Sequence, residues 1–295
     1  MRLSGKKNKN MKRREFVSKM SALGLVMPLH NSLLQSTVFK VKKMGACDWS
    51  LGKSSDPMSF EIARKIGLSG VQVNMGNLSN DLHLRQKSVQ EIFLKKSKET
   101  KVKITSLAIG ELNNVPYKSD DRTTAWVADS IGVAKNLGVQ VVLLAFFSKN
   151  DLRNDPKGIQ NVIAKLKEVA PDAEKNGITL GIESYLTAEE HLEIMEKVGS
   201  KAIKVYYDFR NAKDAGNDIF HEIKLLGNNN ICEIHLKENG KFLGTGDIDW
   251  QKVSDALEDI GYSNRKWQQL EWSLPDKYDY VLGHQKNLDF IKTLN

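Results

Sequence analysis

The chain has 295 residues, 40% hydrophobic and 27% charged, which suffices for a sizeable core and is ordinary for a globular protein. Its formal charge of +8 gathers at one end: residues 1–20 hold eight Lys/Arg and one Glu, so the body is close to neutral and no nucleic-acid partner is expected. No apolar run reaches the ~18 residues that a transmembrane helix needs.

Lys12-Arg13-Arg14-Glu15-Phe16-Val17, followed by the mildly apolar Met20–Leu29, reads as a twin-arginine export signal. The alternative is a disordered basic tail on a cytoplasmic protein. The expectation is a leader over residues 1–35, a folded domain over 38–295, a periplasmic or otherwise exported location, and no stable membrane insertion after export. Cys47 and Cys232 are the two cysteines. They fall on the first and seventh predicted strands, which are not neighbours in a closed eight-stranded sheet, so no disulfide is expected.

The body alternates strand-like and helix-like segments. Strand one is predicted over Phe39–Cys47, with a helix from Pro57 to Ile66 entered by the capping cluster Ser54-Ser55-Asp56. Strand two (Gly70–Asn74), a helix (Lys87–Thr100), strand three (Val102–Ile109) and a polar loop (Gly110–Asp121) follow. A helix over Arg122–Leu137 stops at Gly138, and strand four covers Val139–Phe147. The next helix, Gly158–Lys175, contains Pro171, which predicts a kink or break near Ala170. Strand five is Ile178–Glu183, and Thr187-x-x-Glu190 is a capping box opening a helix to Val198. Strand six (Ile203–Asp208), a helix (Asp218–Leu226), strand seven (Ile231–Leu236), a helix (Trp250–Ile260), strand eight (Trp267–Glu271) and a final helix (Tyr278–Leu294) complete the series. Eight such units in about 250 residues predict a single (β/α)8 barrel of the α/β class. A doubly wound open sheet is the alternative, but no Gly-rich phosphate loop follows an early strand.

In such barrels, chemistry sits at the C-terminal ends of the strands. Strands five to eight end in Glu183, Asp208, His235 and Glu271, spaced about one βα unit apart. Singly, each has an ordinary structural explanation, such as a salt bridge or a hydrogen-bonded core histidine. Jointly they place three carboxylates and an imidazole beside apolar strand segments, where an unpartnered charge is costly and a shared cation answers all four. The oxygen and nitrogen donors suit Mn2+ first, and also Mg2+, Co2+ or Zn2+, with no thiolate to force zinc.

The motifs Gly181-Ile-Glu183, Asp208-x-x-Asn211, His235-Leu-Lys237-Glu238, Leu243-Gly-Thr-Gly246-x-Ile-Asp-Trp250 and Leu270-Glu271 make the chain resemble the xylose-isomerase-like TIM-barrel superfamily. This is the sugar phosphate isomerase/epimerase group, which also includes ketose 3-epimerases, inosose dehydratases and type IV AP endonucleases. The resemblance implies one divalent metal held by Glu183, Asp208, His235 and Glu271. It also makes Glu183 and Glu271 the proton-transfer pair of an epimerase or isomerase working through an enediolate on a carbonyl sugar. A keto-glycoside lyase or dehydratase is the alternative. Asn211 stands where the ketose epimerases often have His, which leaves the exact reaction open.

Substrate contacts are expected from Asn211, Lys237, Lys241, Trp49 and Trp272, with Gln72 or Asn74 as weaker candidates. Solvated lysines and packed tryptophans are the plain alternatives. The expected partner is a small-molecule sugar, with a homo-oligomer also possible. An exported location argues against a phosphorylated substrate. DNA repair is disfavoured because, of the six histidines, only His235 ends a predicted strand. A glycoside hydrolase using Glu183 and Glu271 would leave His235 and Asp208 without a purpose. A non-catalytic sugar-binding barrel would not need all four residues.

Overall fold

Eight short segments pair side by side as parallel strands: β1 (Met44–Cys47), β2 (Gly70–Asn74), β3 (Lys103–Ile109), β4 (Val141–Phe146), β5 (Thr179–Ser184), β6 (Ile203–Asp208), β7 (Ile231–Lys237) and β8 (Gln268–Glu271). They run in chain order, and β8 closes the barrel against β1 through pairs such as Ala46 with Leu270. The computed structural model describes residues 43–262 and 266–294. The predicted export signal, and residues 39–42 of the predicted first strand, lie outside the described residues.

The helices are α1 (Ser59–Ile66), α2 (Lys87–Thr100), α3 (Arg122–Leu137), α4 (Pro156–Asn176), α5 (Ala188–Val198), α6 (Phe209–Asp214), α7 (Ile219–Asn230, interrupted at Gly227), α8 (Trp250–Asp259) and α9 (Tyr280–Thr293). None of them is long and apolar enough to cross a membrane. Apolar strand residues such as Val71, Leu107, Val142, Ile182, Ile234 and Leu270 share one core with Phe60, Val127, Leu166, Ile194 and Trp250 of the helices. Because strand side chains alternate, the intervening residues point into the barrel. There the chain places buried polar groups, among them Gln72, Ser106, Glu233, His235 and Gln269.

Three local expectations need correction. Pro171 does not break α4, which continues to Asn176. Its ring and the carbonyl of Lys167, whose intrahelical bond it removes, both lie on the solvent face, so the loss falls where water can compensate. The Ser54-Ser55-Asp56 cluster does not cap α1, whose N-cap is Met58 with no side-chain cap. Asp56 instead accepts the Met58 N–H at 2.8 Å and forms the turn ahead of the helix. Finally, α6 was not foreseen. By contrast, Thr187 and Glu190 form the expected capping box. Cys47 and Cys232 are both free thiols.

Candidate metal centre

The closed sheet brings the ends of β5 to β8 to one rim. Asp208 is in register with His235, and Lys237 with Glu271, so these pairs are lateral neighbours. His235 Nδ1 lies 3.0 Å from Glu183 Oε1, 3.6 Å from Glu271 Oε2 and 3.7 Å from Asp208 Oδ2. All four side chains are buried, and one donor atom from each lies within 4.8 Å of the others.

Asp208 shows how the donors are divided. Its Oδ1 accepts the N–H groups of Arg210 and Asn211, both at 2.8 Å, and so caps α6. Its Oδ2 is buried and has no hydrogen-bond partner. A buried acceptor without a partner is rare and costly. With two further carboxylates and the imidazole converging beside it, the donor set fits a hard or borderline divalent cation.

Lys237 sets the charge distribution. Its Nζ stands 2.9 Å from Glu271 Oε2 and 3.7 Å from Asp208 Oδ2, and donates to Asn211 Oδ1 at 3.0 Å. Burial would raise the pKa of Glu271, but Lys237 and His235 outweigh it and hold the carboxyl at about 2. At Asp208 burial wins over the more distant ammonium, and the pKa rises to about 7. Burial disfavours the charged form of His235, yet Glu271 and Glu183 prevail and raise the ring to about 9. Lys237 itself is burdened by burial but is raised by Glu271 and Asp208, so it stays charged.

Asn211 donates to Glu183 Oε1 at 3.2 Å, and Trp49 Nε1 donates to Glu271 Oε1 at 2.9 Å. Asn211, Lys237 and Trp49 therefore all touch the cluster. Lys241 and Trp272 do not. Lys241 is exposed on the loop after β7. Trp272 is 51% exposed, with a positive φ of 42° that turns the chain off the end of β8. Of the two weaker candidates, Gln72 reaches His235, whereas Asn74 is tied to the loops through Ser54 and Gly76.

Glu238 faces away from the cluster. Its Oε1 accepts from Trp250 Nε1 at 2.7 Å, which ties the end of β7 to the start of α8. Gly246 packs beneath it so closely that a Cβ there would lie 1.9 Å from Glu238 Oε2. The Gly-rich connection thus folds around Glu238, and Arg210 fastens it through an ion pair with Asp247.

The sequence reading missed Cys47, whose Sγ lies 3.3 Å from His235 Nε2 and which forms a second donor group with His235 and Glu271, one atom of each within 4.8 Å of the others. Burial, with Glu271 and Glu183, pushes its pKa well above the ordinary thiol value, so it remains a thiol. Beyond Gln72, it also missed the buried polar layer beneath His235, formed by Ser106, Tyr206, Glu233 and Gln269. Polar side chains at alternate positions of otherwise apolar strands were the available signal. A cavity of about 580 Å³ at the opposite end of the barrel, lined by Lys103, Lys204 and Lys266 among others, contains none of the four cluster residues.

The fold and the rim define a (β/α)8 barrel with a buried centre of three carboxylates and one imidazole. Residues 60–294 match the family described as xylose isomerase-like TIM barrel, and the chain belongs to that family. It is similar to an L-ribulose 3-epimerase of Mesorhizobium japonicum, 34% identical over 113 residues, covering 34% of this chain and 37% of the relative. It is also similar to a probable L-ribulose-5-phosphate 3-epimerase of Mycoplasma pneumoniae, 24% identical over 145 residues, covering 46% and 47%. The chain spans less than two thirds of the length of the curated relatives it matches. Among solved structures, D-psicose 3-epimerase from Clostridium cellulolyticum superposes with a TM-score of 0.71 at 18% identity, covering 85% of this chain and 99% of the other. The 3-keto-D-glucoside 4-epimerase of E. coli gives 0.70 at 13% identity, with the same coverage. At these identities the superpositions establish the shared fold.

Proposed function

We propose that the chain is a divalent-cation-dependent carbohydrate epimerase or isomerase acting on a carbonyl sugar. The observation that carries this reading is Asp208 Oδ2, buried without a hydrogen-bond partner and facing the same space as Glu183, Glu271 and His235 Nδ1. These four residues would hold the cation, with Mn2+ the first expectation. Bound there, the cation supplies Lewis-acid polarisation of a sugar carbonyl and acidifies the neighbouring C–H.

The residues of the chain supply the rest. Glu271, held ionised by Lys237 and His235, is the proton acceptor at one side. Glu183, oriented by Asn211, is the partner that returns a proton to the carbon. Trp49 fixes the Glu271 carboxylate through Oε1. The Lys237 ammonium is placed to stabilise negative charge that develops on the sugar oxygen. The partial relatives with epimerase names support this reading. Read as an export leader, Lys12–Val17 favours an exported enzyme and hence an unphosphorylated sugar.

The test is solvent-deuterium incorporation into ketoses and 3-keto-glycosides, followed by NMR with the Mn2+-loaded protein. Exchange at the carbon beside the carbonyl, lost in Glu271→Gln, is the expected result. No exchange with any carbonyl sugar, together with aglycone release from unoxidised glycosides, overturns it in favour of hydrolysis.

A further inference from the structure

At the end of the barrel opposite the cation centre, the strands begin with lysines where such barrels ordinarily pack branched apolar side chains. Lys103 opens β3, Lys204 is the second residue of β6, and Lys43 directly precedes β1. Side chains two apart on a strand share a face. Lys103 thus faces the way of Thr105, which bonds Gln269 inside the barrel. Lys204 faces the way of Tyr206, which bonds Glu233 there. Lys43 stands two residues before Gly45, where a Cβ would strike Gln269. Together with Lys266, which leads into β8, these inward lysines line the cavity of about 580 Å³.

Little on the wall offsets their charge. Glu233 is the one acid among the lining residues, against four lysines. Its Oε2 already accepts from Ser106 and Tyr206, at 2.8 and 3.1 Å. Neither Lys103 nor Lys204 has an ion-pair or hydrogen-bond partner among the described residues. Lys266 donates to the uncharged carbonyls of Asn228 and Ile231. Burial lowers the pKa of Lys266; Cys232 opposes this, and the like charge of Lys204 adds to it. Two neutral groups on the same wall also have bonding capacity to spare. Thr105, only 4% exposed, accepts from Gln269 Nε2 at 2.8 Å, which leaves its own hydroxyl proton without an acceptor among the described residues. Asn228 Oδ1 is buried without a hydrogen-bond partner.

We propose that this end of the barrel is a second binding site, for a small phosphate-bearing anion whose terminal oxygens meet Lys43, Lys103, Lys204, Lys266 and the Thr105 hydroxyl. A concave wall of one sign concentrates counter-ions. A carboxylate brings one charge and two oxygens to lysines arriving from several strands. A phosphoryl group brings about two charges and three strong acceptor oxygens, and lysine binds it well. The volume leaves room for more than the phosphoryl group, and Asn228 Oδ1 suits a hydroxyl on what remains. The site stands independently of the function proposed above, since it shares no residue with the cation centre.

The test is calorimetric titration of the full chain, stripped of metal and then freed of chelator, with inorganic phosphate and with glycerol 3-phosphate at neutral pH. Each probe is expected to saturate a single site. Lys204→Met and Lys103→Met should each weaken binding about tenfold, the loss of one charge-assisted hydrogen bond. Lys103 is exposed at the start of its strand, so its variant answers the question if Lys204→Met fails to fold. Lys237→Met, which removes the ammonium at the opposite rim, should leave phosphate affinity unchanged. Tighter binding of the ester assigns the site to a phosphorylated metabolite, and equal or weaker binding assigns it to free phosphate. No saturation at millimolar concentrations of either probe overturns the proposal. So does affinity that is undiminished in both lysine variants, or that is lost in Lys237→Met.

Discussion

The ammonium of Lys237 lies 2.9 Å from Glu271 Oε2, inside a cluster of three buried carboxylates. A cation bound at the rim and this ammonium neutralise the same charge. Lys237→Met should therefore have opposite effects on two quantities. Without metal, the protein should lose about 3 kcal/mol, because one partner of a buried pair is gone and the carboxylates face one another. With Mn2+ the loss should shrink, and Mn2+ affinity should rise. Thermal melting with chelator and with Mn2+ reads both; equal destabilisation in the two conditions removes the competition.

The four strand-end residues should act as one centre. His235→Ala and Asp208→Asn should each leave the purified protein with little bound metal, as read by elemental analysis. Glu271→Gln should reduce proton exchange by at least about 100-fold, the usual contribution of a positioned acid or base. The ring of His235 stays protonated up to about pH 9, so below that pH a cation must displace a proton from it. Apparent affinity should accordingly climb with pH until about 9 and then level off, as followed by chelator competition. Metal content unchanged in His235→Ala would falsify the site.

His191 should mark the acid limb of stability. Its ring is buried between Ser184 Oγ and the Thr187 carbonyl, each at 2.9 Å. Burial lowers its pKa to about 4, against the opposing pull of Thr187. The unfolded chain binds the proton more readily, so this contribution is complete above about pH 6.5 and is lost as pH falls toward 4. His191→Gln should flatten the fall in melting temperature between those limits. An unchanged slope assigns the acid limb to other groups.

Gly246→Ala should disturb the loop behind β7 without touching a cation ligand. Its Cβ would lie 1.9 Å from Glu238 Oε2, so the carboxylate must shift off Trp250 or the loop must move. A loss of about 1–3 kcal/mol is expected by denaturant unfolding, with metal content retained. A neutral substitution shows that the loop can yield at little cost.

Much of the fold was legible because the signals are local. Strand and helix periods, Gly138 after α3 and the Thr187–Glu190 box each operate within a few residues. The strand-end positions of Glu183, Asp208, His235 and Glu271 were legible for the same reason: each is a polar group terminating an apolar run. Helix α6 was hidden because it is six residues long and its cap, Asp208, already counted as a strand end. Pro171 misled because its effect depends on which face of α4 meets water.

By itself, the sequence determined the eightfold βα rhythm and the residues offered at the ends of β5 to β8. Only the tertiary structure decided that Lys237 turns inward, through alternation along β7 and register with β8, while Lys241 lies beyond the strand on an exposed loop. It also decided that Gln72, far away in the chain, stands 3.0 Å from His235 Nε2. Closing the barrel makes neighbours of residues that sequence distance keeps apart, and hydrogen-bond direction is a property of those neighbours.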